Sequence, residues 1–174
     1  MQRTLTLIRH AKSSWKAPVS ADHDRPLNGR GRRDAARMAE RLRARVFAPD
    51  LLLTSTATRA LRTCEAIAYA CGLEDRVRGL RELHHAEPRA VLEIVARHDL
   101  GAGGALAHVA VVGHDPGLAE LLEWLTGAGL EKLPTCAVAT IVLAGGDFRA
   151  DAGSGRLAML ETPKNDPERQ NPRA

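Results

Sequence analysis

Near its start the chain reads Thr4-Leu5-Thr6-Leu7-Ile8-Arg9-His10. The leucines and β-branched residues of this stretch predict a short buried strand, which ends on an arginine and a histidine. In open α/β proteins, ligands bind beyond the carboxyl ends of the strands. A guanidinium offers a planar fork of donors suited to phosphate, and an imidazole can serve as nucleophile or base near neutral pH. We therefore expect Arg9 and His10 to belong to an anion-binding site.

Strand and helix patterns alternate along the rest of the chain, which predicts the α/β class. We expect a three-layer α/β/α sandwich with a largely parallel central sheet. The predicted strands are Arg3–Arg9, Asp50–Thr54, Val77–Leu80, Val109–Val112, Ala137–Leu143 and Arg156–Glu161, the last two forming a hairpin. The predicted helices run from Asn28 as N-cap to Arg45, over Thr58–Cys71 and Pro88–His98, and around Leu118–Leu125.

The chain is expected to form one domain over residues 1–162, followed by a polar, disordered tail over 163–174. In the first helix, the spacing of apolar residues predicts a buried stripe, formed by Ala35, Ala39, Leu42 and Val46. The opposite face carries arginines that we interpret mainly as solvated surface, namely Arg30, Arg33, Arg37 and Arg41.

Composition narrows the class of protein. The 174 residues are 44% hydrophobic and 26% charged, as in an ordinary globular domain, and the sequence has neither a membrane-length apolar run nor a signal-peptide layout. We therefore expect a cytoplasmic protein that does not bind membranes. The net charge of +4 comes mostly from arginine, but only 3% of residues are aromatic, too few for a nucleic-acid stacking surface. The cysteines Cys64, Cys71 and Cys136 lack metal-ligand spacing and are expected to be core residues without a disulfide.

Three predicted strands end in polar residues that could meet at one edge of a parallel sheet. The first ends in Arg9-His10, the second leads through Ser55 to Arg59, and the fourth ends in Gly113-His114. Two guanidiniums and two imidazoles suit a dianionic phosphoryl group, because one imidazole can attack in line while the other groups hold the phosphoryl oxygens. In this arrangement the arginines supply the positive charge, so we expect no metal and no cofactor.

Four motifs in order along the chain resemble the histidine phosphatase superfamily, which has the phosphoglycerate-mutase-like fold, and within it the short phosphohistidine phosphatases. The matching pieces are Leu7–Ser13, Asp24–Asn28 with Gly31, Thr54–Ala60 with Thr63, and Val112–Pro116. This resemblance implies that His10 is the nucleophile and becomes a phosphohistidine. It also implies that Arg9, Arg59 and His114 are phosphate ligands.

Other residues near these motifs have roles that the sequence leaves open. Arg25 matches a basic residue at the rim of the pocket, although a structural salt bridge to Asp22 or Asp24 is an alternative. Ser13 and Ser55 could donate to the phosphate or cap the following turns. In larger relatives a glutamate protonates the leaving group, and Glu82 is the nearest match, but the residues after it depart from that pattern. A phosphorylated imidazole leaves more easily than an alkoxide, so a strong acid is less necessary.

The other histidines, His23, His84, His85, His98 and His108, are interpreted as surface or supporting residues. Asp115 is expected to cap the helix that follows it, with Pro116 at the first helical position.

These observations together predict a metal-independent phosphatase, which works through a covalent phosphohistidine and removes phosphate from phosphohistidine on a protein. Such an activity would belong to signal transduction. Two alternatives stay open, a small-molecule phosphomonoesterase of the same fold and a non-catalytic module that binds phosphate or nucleic acid. The expected partner is a phosphorylated protein or a small phosphate ester, with no nucleic acid, and the protein is expected to be a monomer.

Overall fold

The computed structural model describes residues 2–16, 18 and 21–165. Within these residues, six β-strands form one sheet and four α-helices flank it. The strands are β1 (Arg3–Arg9), β2 (Leu51–Ser55), β3 (Val77–Leu80), β4 (His108–Gly113), β5 (Val138–Leu143) and β6 (Gly155–Glu161). The helices are α1 (Gly29–Ala44), α2 (Thr58–Cys71), α3 (Pro88–Gly101) and α4 (Gly117–Thr126).

The strand order across the sheet is β3-β2-β4-β1-β5-β6. The first four strands in the chain pair in parallel, whereas β5 runs antiparallel to β1 and forms an antiparallel hairpin with β6. The predicted α/β fold with a largely parallel sheet is therefore confirmed. Because β2, β4 and β1 are neighbours, their carboxyl ends lie side by side at one edge of the sheet.

Residues of β1 show how the two faces of the sheet are covered. Leu5 and Leu7 pack into a cluster with α3 and α4, whereas Ile8 packs into the other cluster with α1 and α2. This change of side follows from the two-residue period of a strand. All three side chains are fully buried. The predicted arrangement of helices on both faces is thus confirmed.

The ends of α1 and α2 follow from local capping. The Asn28 side chain accepts a hydrogen bond from the Gly31 backbone N–H at 2.8 Å, so the predicted N-cap is confirmed. Gly72 ends α2 in the left-handed conformation, at φ 67°. The prediction that Val46 lies in the buried stripe of α1 is wrong, because the helix ends at Ala44 and the chain turns at Val46, which is 83% exposed.

The outer face of α1 is mainly exposed, as predicted, although two of its arginines also contact the segment after β6. Arg41 donates to the backbone carbonyls of Thr162 and Asn165 at 3.0 and 2.8 Å, and Arg37 donates to that of Pro163 at 3.4 Å. These contacts hold the segment after β6 against the helix. Most of the predicted tail, residues 166–174, lies outside the described residues, so its disorder stays a prediction.

The cysteines are free thiols, and Cys64 and Cys136 are buried while Cys71 is half-buried. Two of the three therefore occupy the core as predicted. Among the residues described, no helix combines the length and the apolar character needed to cross a membrane.

Candidate active site

The carboxyl ends of β1, β2 and β4 surround a cavity of about 200 Å³. Parallel pairing places Arg9 of β1 beside Gly113 of β4, and Thr54 of β2 beside Val112 of β4. The loops after these strands therefore meet at one place. The cavity is lined by Arg9, His10, Lys12, Ser13, Trp15, Asp22, Arg25, Arg59, His85, His114, Asp115 and Thr135.

One ring nitrogen of His10 faces the Ala11 carbonyl oxygen, and the other faces Arg59. Its Nδ1 lies 2.7 Å from the Ala11 carbonyl oxygen, which can only accept, so Nδ1 carries the proton and Nε2 keeps its lone pair. Arg59 Nε donates to that Nε2 at 3.3 Å. The pKa of His10 is lowered to about 4, chiefly by burial and also by the charges of Arg59, Arg9 and Arg25, while the Ala11 hydrogen bond acts to raise it. The imidazole is therefore neutral at pH 7.

Arg59, in the first turn of α2, is nearly fully buried at the centre of this site. Besides contacting His10, its Nη1 donates to the Asp22 carbonyl oxygen at 2.6 Å. Its Nη2 pairs with Asp22 Oδ2 at 2.8 Å and lies 3.3 Å from His114 Nδ1. The two predicted imidazoles thus share one guanidinium. Their ring centroids are 5.1 Å apart.

Ser55 lies behind His114 and does not line the cavity. The hydroxyl oxygen of this fully buried serine is 2.9 Å from His114 Nε2 and accepts a hydrogen bond from the Ala57 N–H at 3.2 Å. Because Arg59 can only donate, His114 Nδ1 accepts and its Nε2–H donates to Ser55. Of the two predicted roles for Ser55, the turn-capping contact is present. The pKa of His114 is lowered to about 2, chiefly by burial and to a smaller extent by His10 and Arg59.

Arg9 also lines the cavity. Its Nη1 donates to the Leu133 carbonyl oxygen at 2.6 Å and lies 3.1 Å from Asp115 Oδ2. Its Nε is buried and has no hydrogen-bond partner in the part of the chain that the structure describes. This N–H is therefore a donor that a bound anion could use.

Asp115 contacts both Arg9 and the following helix. Its Oδ2 also accepts from the Leu133 N–H at 3.1 Å. A hydrogen bond from the Ala119 backbone N–H, in the first turn of α4, acts to lower the pKa of its carboxyl group, which agrees with the predicted capping role. Pro116 stands at the N-cap position and not, as predicted, at the first helical position, because α4 begins at Gly117. Burial raises the pKa of Asp115, against the opposing charge of Arg9.

Arg25 combines both roles considered for it. It lines the cavity and pairs through Nη1 with Asp22 Oδ1 at 2.6 Å. Its Nη2 donates to the Ser13 hydroxyl oxygen, so Ser13 lies at the cavity with its hydroxyl on this arginine. The guanidinium also lies 3.3 Å from the ring centroid of the exposed Trp15. These contacts hold Arg25 at the rim of the site.

Of the two interpretations of His84 and His85, as surface or supporting residues, the structure favours the second, because both contact residues of the site. Their Nε2 atoms lie 3.3 and 3.2 Å from Asp22 Oδ2. Their ring centroids lie 5.2 and 5.1 Å from that of His114. Their place after β3, whose carboxyl end shares the edge of the sheet, is a signal that could have indicated this. His23 joins the group by an edge contact with His84, with ring centroids 5.1 Å apart.

Asp22 is the functional residue that sequence reasoning considered only as a salt-bridge partner. It lies in a 3₁₀ turn over Asp22–Asp24. Burial acts to raise its pKa, but hydrogen bonds from Arg25, Arg59 and His85 outweigh burial and hold that pKa well below its usual range. Asp22 is therefore a carboxylate at any pH near neutral and cannot act as an acid there.

Asp22, His84 and His85 offer ligand atoms that lie within 4.8 Å of one another, as in a metal site. Both carboxylate oxygens, however, already pair with guanidiniums, Oδ1 with Arg25 and Oδ2 with Arg59. Two positive charges at these distances oppose the binding of a cation. The donor set alone would suit a divalent metal, but its electrostatic surroundings suit an anion.

Glu82 is the predicted residue that the structure keeps apart from the others. It lies in a 3₁₀ turn over Arg81–Leu83, is about half exposed, and forms an ion pair with Arg97 of α3. It does not line the cavity. Its placement therefore gives no support to a role as general acid.

Two close backbone contacts fix the loops around the site. A Cβ on Gly31 would lie 2.0 Å from the Lys12 carbonyl oxygen, and a Cβ on Gly117 would lie 2.1 Å from that of Ala86. The first contact holds α1 against the loop after His10. The second holds the loop of His85 against α4. Glycine is required at both positions because any side chain would collide with backbone.

A larger groove, of about 610 Å³, lies elsewhere, between α3, α4 and the loop that joins β5 to β6. It is lined by Trp124, Leu100 and Arg149 among others, and no histidine lines it. The smaller cavity is the better candidate, because it alone of the two holds a neutral imidazole surrounded by guanidiniums.

Comparisons with known proteins agree with this fold. The profile of the histidine phosphatase superfamily (branch 1) matches residues 5–89. The uncharacterized protein Rv1276c of Mycobacterium tuberculosis is 35% identical over 167 residues, which are 90% of this chain and 100% of that protein.

Two solved structures are similar over nearly their whole length. The putative phosphohistidine phosphatase SixA from Agrobacterium tumefaciens has a TM-score of 0.75 and 29% identity, covering 92% of this chain and 98% of that one. The putative phosphohistidine phosphatase SixA from Nakamurella multipartitia has a TM-score of 0.76 and 27% identity, covering 95% and 98%. The resemblance predicted from the motifs, including that to the short phosphohistidine phosphatases, is confirmed, and it supports phosphatase activity. The chain belongs to the histidine phosphatase superfamily.

Proposed function

We propose that this protein is a metal-independent phosphatase that removes phosphate from phosphohistidine on a protein, through a phosphohistidine formed on His10. The observation that carries this proposal is the geometry of His10. Its Nδ1 is tied to the Ala11 carbonyl oxygen at 2.7 Å, and its Nε2 lies 3.3 Å from Arg59 Nε. A neutral imidazole with a fixed tautomer presents a lone pair beside a fixed positive charge, which is what attack on a phosphoryl group requires.

The reaction then has two steps. In the first, the His10 Nε2 lone pair forms a bond to phosphorus and the bond to the substrate nitrogen breaks. The leaving imidazole keeps the electron pair and departs neutral, because its other ring nitrogen carries a proton, whereas an aryl phosphate releases an aryloxide that takes a proton from water. In the second, a water oxygen attacks the phosphorus of phospho-His10, a proton of that water passes to a phosphoryl oxygen, the P–N bond breaks with its electron pair returning to His10 Nε2, and phosphate leaves. Arg59, Arg25 and Arg9 line the cavity and stabilise the charge on the phosphoryl oxygens in both steps.

Support for metal independence comes from the charges around the cavity. Three guanidiniums line it, and Lys12 adds an ammonium. Fixed cations of this kind can stabilise a phosphoryl transition state in the way that magnesium does in nucleotide enzymes. A chelator should therefore leave the activity unchanged.

Support for phosphohistidine as the substrate comes from two sides. Glu82 pairs with Arg97 outside the cavity, and the cavity-lining Asp22 has a depressed pKa, so neither is placed or poised to protonate a poor leaving group. An imidazole leaves without such help more readily than an alkoxide. Two structures of similar fold are also described as putative phosphohistidine phosphatases.

The test is a substrate panel with the full chain. Phosphohistidine-bearing protein and aryl phosphates should be cleaved well, sugar and glycerol phosphates poorly, with and without a chelator. Brief incubation with substrate should label His10, and the label should be labile in acid and stable in alkali. Sugar phosphates as the best substrates would favour the small-molecule phosphomonoesterase. Binding without any turnover would favour the non-catalytic module.

A further inference from the structure

The Asp22 carboxylate is bound by the two guanidiniums that the proposed reaction needs for its substrate. Its Oδ1 lies 2.6 Å from Arg25 Nη1, and its Oδ2 lies 2.8 Å from Arg59 Nη2. Both arginines line the same cavity as His10. One carboxylate thus bridges two cations at the mouth of the candidate active site.

Arg59 has almost no spare hydrogen-bonding capacity. Its four contacts are to His10 Nε2, to the Asp22 carbonyl oxygen, to Asp22 Oδ2 and to His114 Nδ1. A guanidinium has five N–H donors. One N–H on Nη1 is left, so a phosphoryl group that is held by both terminal nitrogens of Arg59 must displace Asp22 Oδ2 or His114 from Nη2. Arg25 is engaged in the same way, because its Nη2 donates to Ser13 and its Nη1 to Asp22.

We infer that Asp22 competes with the substrate for Arg59 and Arg25 and so raises the affinity that a ligand needs, which a dianionic phosphoryl group can meet and a weakly attracted monoanion cannot. This inference rests on the proposed function, which places the phosphoryl group on these arginines. Replacing a carboxylate by a dianion increases the attraction to two fixed cations. Replacing it by a monoanion, such as a phosphodiester, brings no such gain. An internal competitor therefore acts as a repulsive element against the wrong ligands.

The surroundings of Asp22 allow this exchange. Its side chain is 40% exposed, whereas that of Arg59 is 3% exposed. The carboxylate can therefore move without opening the core, while the guanidinium stays in place. His84 and His85 lie 3.3 and 3.2 Å from Asp22 Oδ2 and can keep a hydrogen bond to the displaced carboxylate. His85 adopts φ 55°, a strained value for a residue other than glycine, and it lines the cavity.

Calorimetric binding to the full chain tests this inference without relying on turnover. The probes are inorganic phosphate at pH 8, which is mainly dianionic, and dimethyl phosphate, which is a monoanion. Asp22→Asn should bind phosphate about tenfold more tightly than the wild type. It should also bind dimethyl phosphate more tightly, by a similar factor, because removing an internal competitor raises the affinity of every ligand that displaces it. Asp24→Asn is the matched control, because it removes the same charge two residues away, where the Asp24 carboxylate contacts His23 at 3.3 Å.

Thermal unfolding should show that both variants fold, and Asp22→Ser, which has a smaller side chain, should repeat the result. Unchanged or weaker phosphate binding by Asp22→Asn would overturn the inference, since Asp22 would then orient the arginines instead of competing for them. Equal tightening in Asp24→Asn, or no phosphate binding by any variant, would also overturn it. Turnover of the wild type on phosphohistidine tests the proposed function separately, because the binding result does not depend on catalysis.

Discussion

Arg3 and Arg9 begin and end the same strand, but their surroundings differ. At the amino end of β1, Arg3 donates to the carbonyl oxygens of Gly146 and Gly104 at 2.9 and 2.6 Å and pairs with the buried Asp99 at 3.5 Å. At the carboxyl end, Arg9 lines a cavity, and its Nε has no hydrogen-bond partner among the residues described. An arginine whose contacts are all internal supports the fold, whereas one with a spare donor at a cavity can bind a ligand.

The two ends of the sheet differ in the same way as these two arginines. The carboxyl end gathers His10, Arg59 and His114 around an anion-sized space, and Asp22 covers it from a surface turn. At the amino end, the Asp99 carboxylate faces Arg3 and also accepts from the Leu106 N–H at 3.0 Å. Substitutions at the carboxyl end should therefore change activity, and substitutions at the amino end should change stability.

The largest expected effect is that of His10→Ala. Turnover should fall on the order of 10⁴-fold or more, because the variant removes the imidazole that is proposed to form the bond to phosphorus. The midpoint of thermal unfolding should stay the same or rise, since the variant removes a buried imidazole. Steady-state kinetics and a thermal melt check this. Residual turnover within tenfold of the wild type would show that another residue is the nucleophile.

Arg3→Ala should destabilise the fold at the amino end of the sheet. It leaves Asp99, which is 4% exposed, without its charged partner. Removing one member of a buried ion pair costs about 3–5 kcal/mol of unfolding free energy. Denaturant unfolding measures this, and kcat/KM of the folded variant should match the wild type. A change in kcat/KM with unchanged stability would contradict the division between the two ends.

Arg59→Ala should lower kcat/KM, whereas Arg3→Ala should lower stability. The barrier should rise by about 3 kcal/mol, roughly a hundredfold in kcat/KM, as when an oxyanion donor is removed. Arg62→Ala is the matched control, because Arg62 lies on the same helix and pairs only at the surface, with Glu65 at 2.7 Å. Kinetics on an aryl phosphate compare the two. Equal losses in both variants would indicate a general effect of charge or helix stability.

The pH dependence of stability and of activity should also test the state of the His10 imidazole. The folded-state pKa of His10, about 4, lies below its ordinary value of 6.5, because burial opposes the charged form. Between these values the unfolded chain binds more protons than the folded one, so the free energy of unfolding should fall as the pH falls through this window. His10→Ala should reduce this slope. An activity profile in which protonation of the nucleophile at about 6.5 abolishes turnover would contradict the depressed pKa.

Glu82→Gln should have the smallest effect. Its ion pair with Arg97 is solvent-exposed, and such pairs contribute about 0–1 kcal/mol to stability. Turnover of phosphohistidine and aryl phosphates should change less than about twofold, as expected for a group outside the cavity. Loss of all activity in this variant would show that Glu82 reaches the substrate and is the acid.

Much of this architecture is determined by local sequence. Short apolar runs specify the parallel strands, and chain order places polar residues after each strand. Capping fixes two helix ends, since Asn28 begins α1 and Gly72 ends α2. Because parallel strands share one edge, the convergence of His10, Arg59 and His114 on one cavity could be predicted from the sequence. The four motifs likewise identified the family, since together they span most of the chain.

Only the tertiary structure decided which groups satisfy one another at that edge. The approach of Asp22 to Arg59, of Asp115 to Arg9 and of His85 to Asp22 joins loops that are distant in sequence. Such loops have no periodic pattern of their own, and their paths are set by close contacts such as that between the Gly117 and Ala86 backbones. Residue types and strand order therefore determined where an anion site forms, whereas long-range packing decided that a carboxylate of the protein itself occupies its arginines.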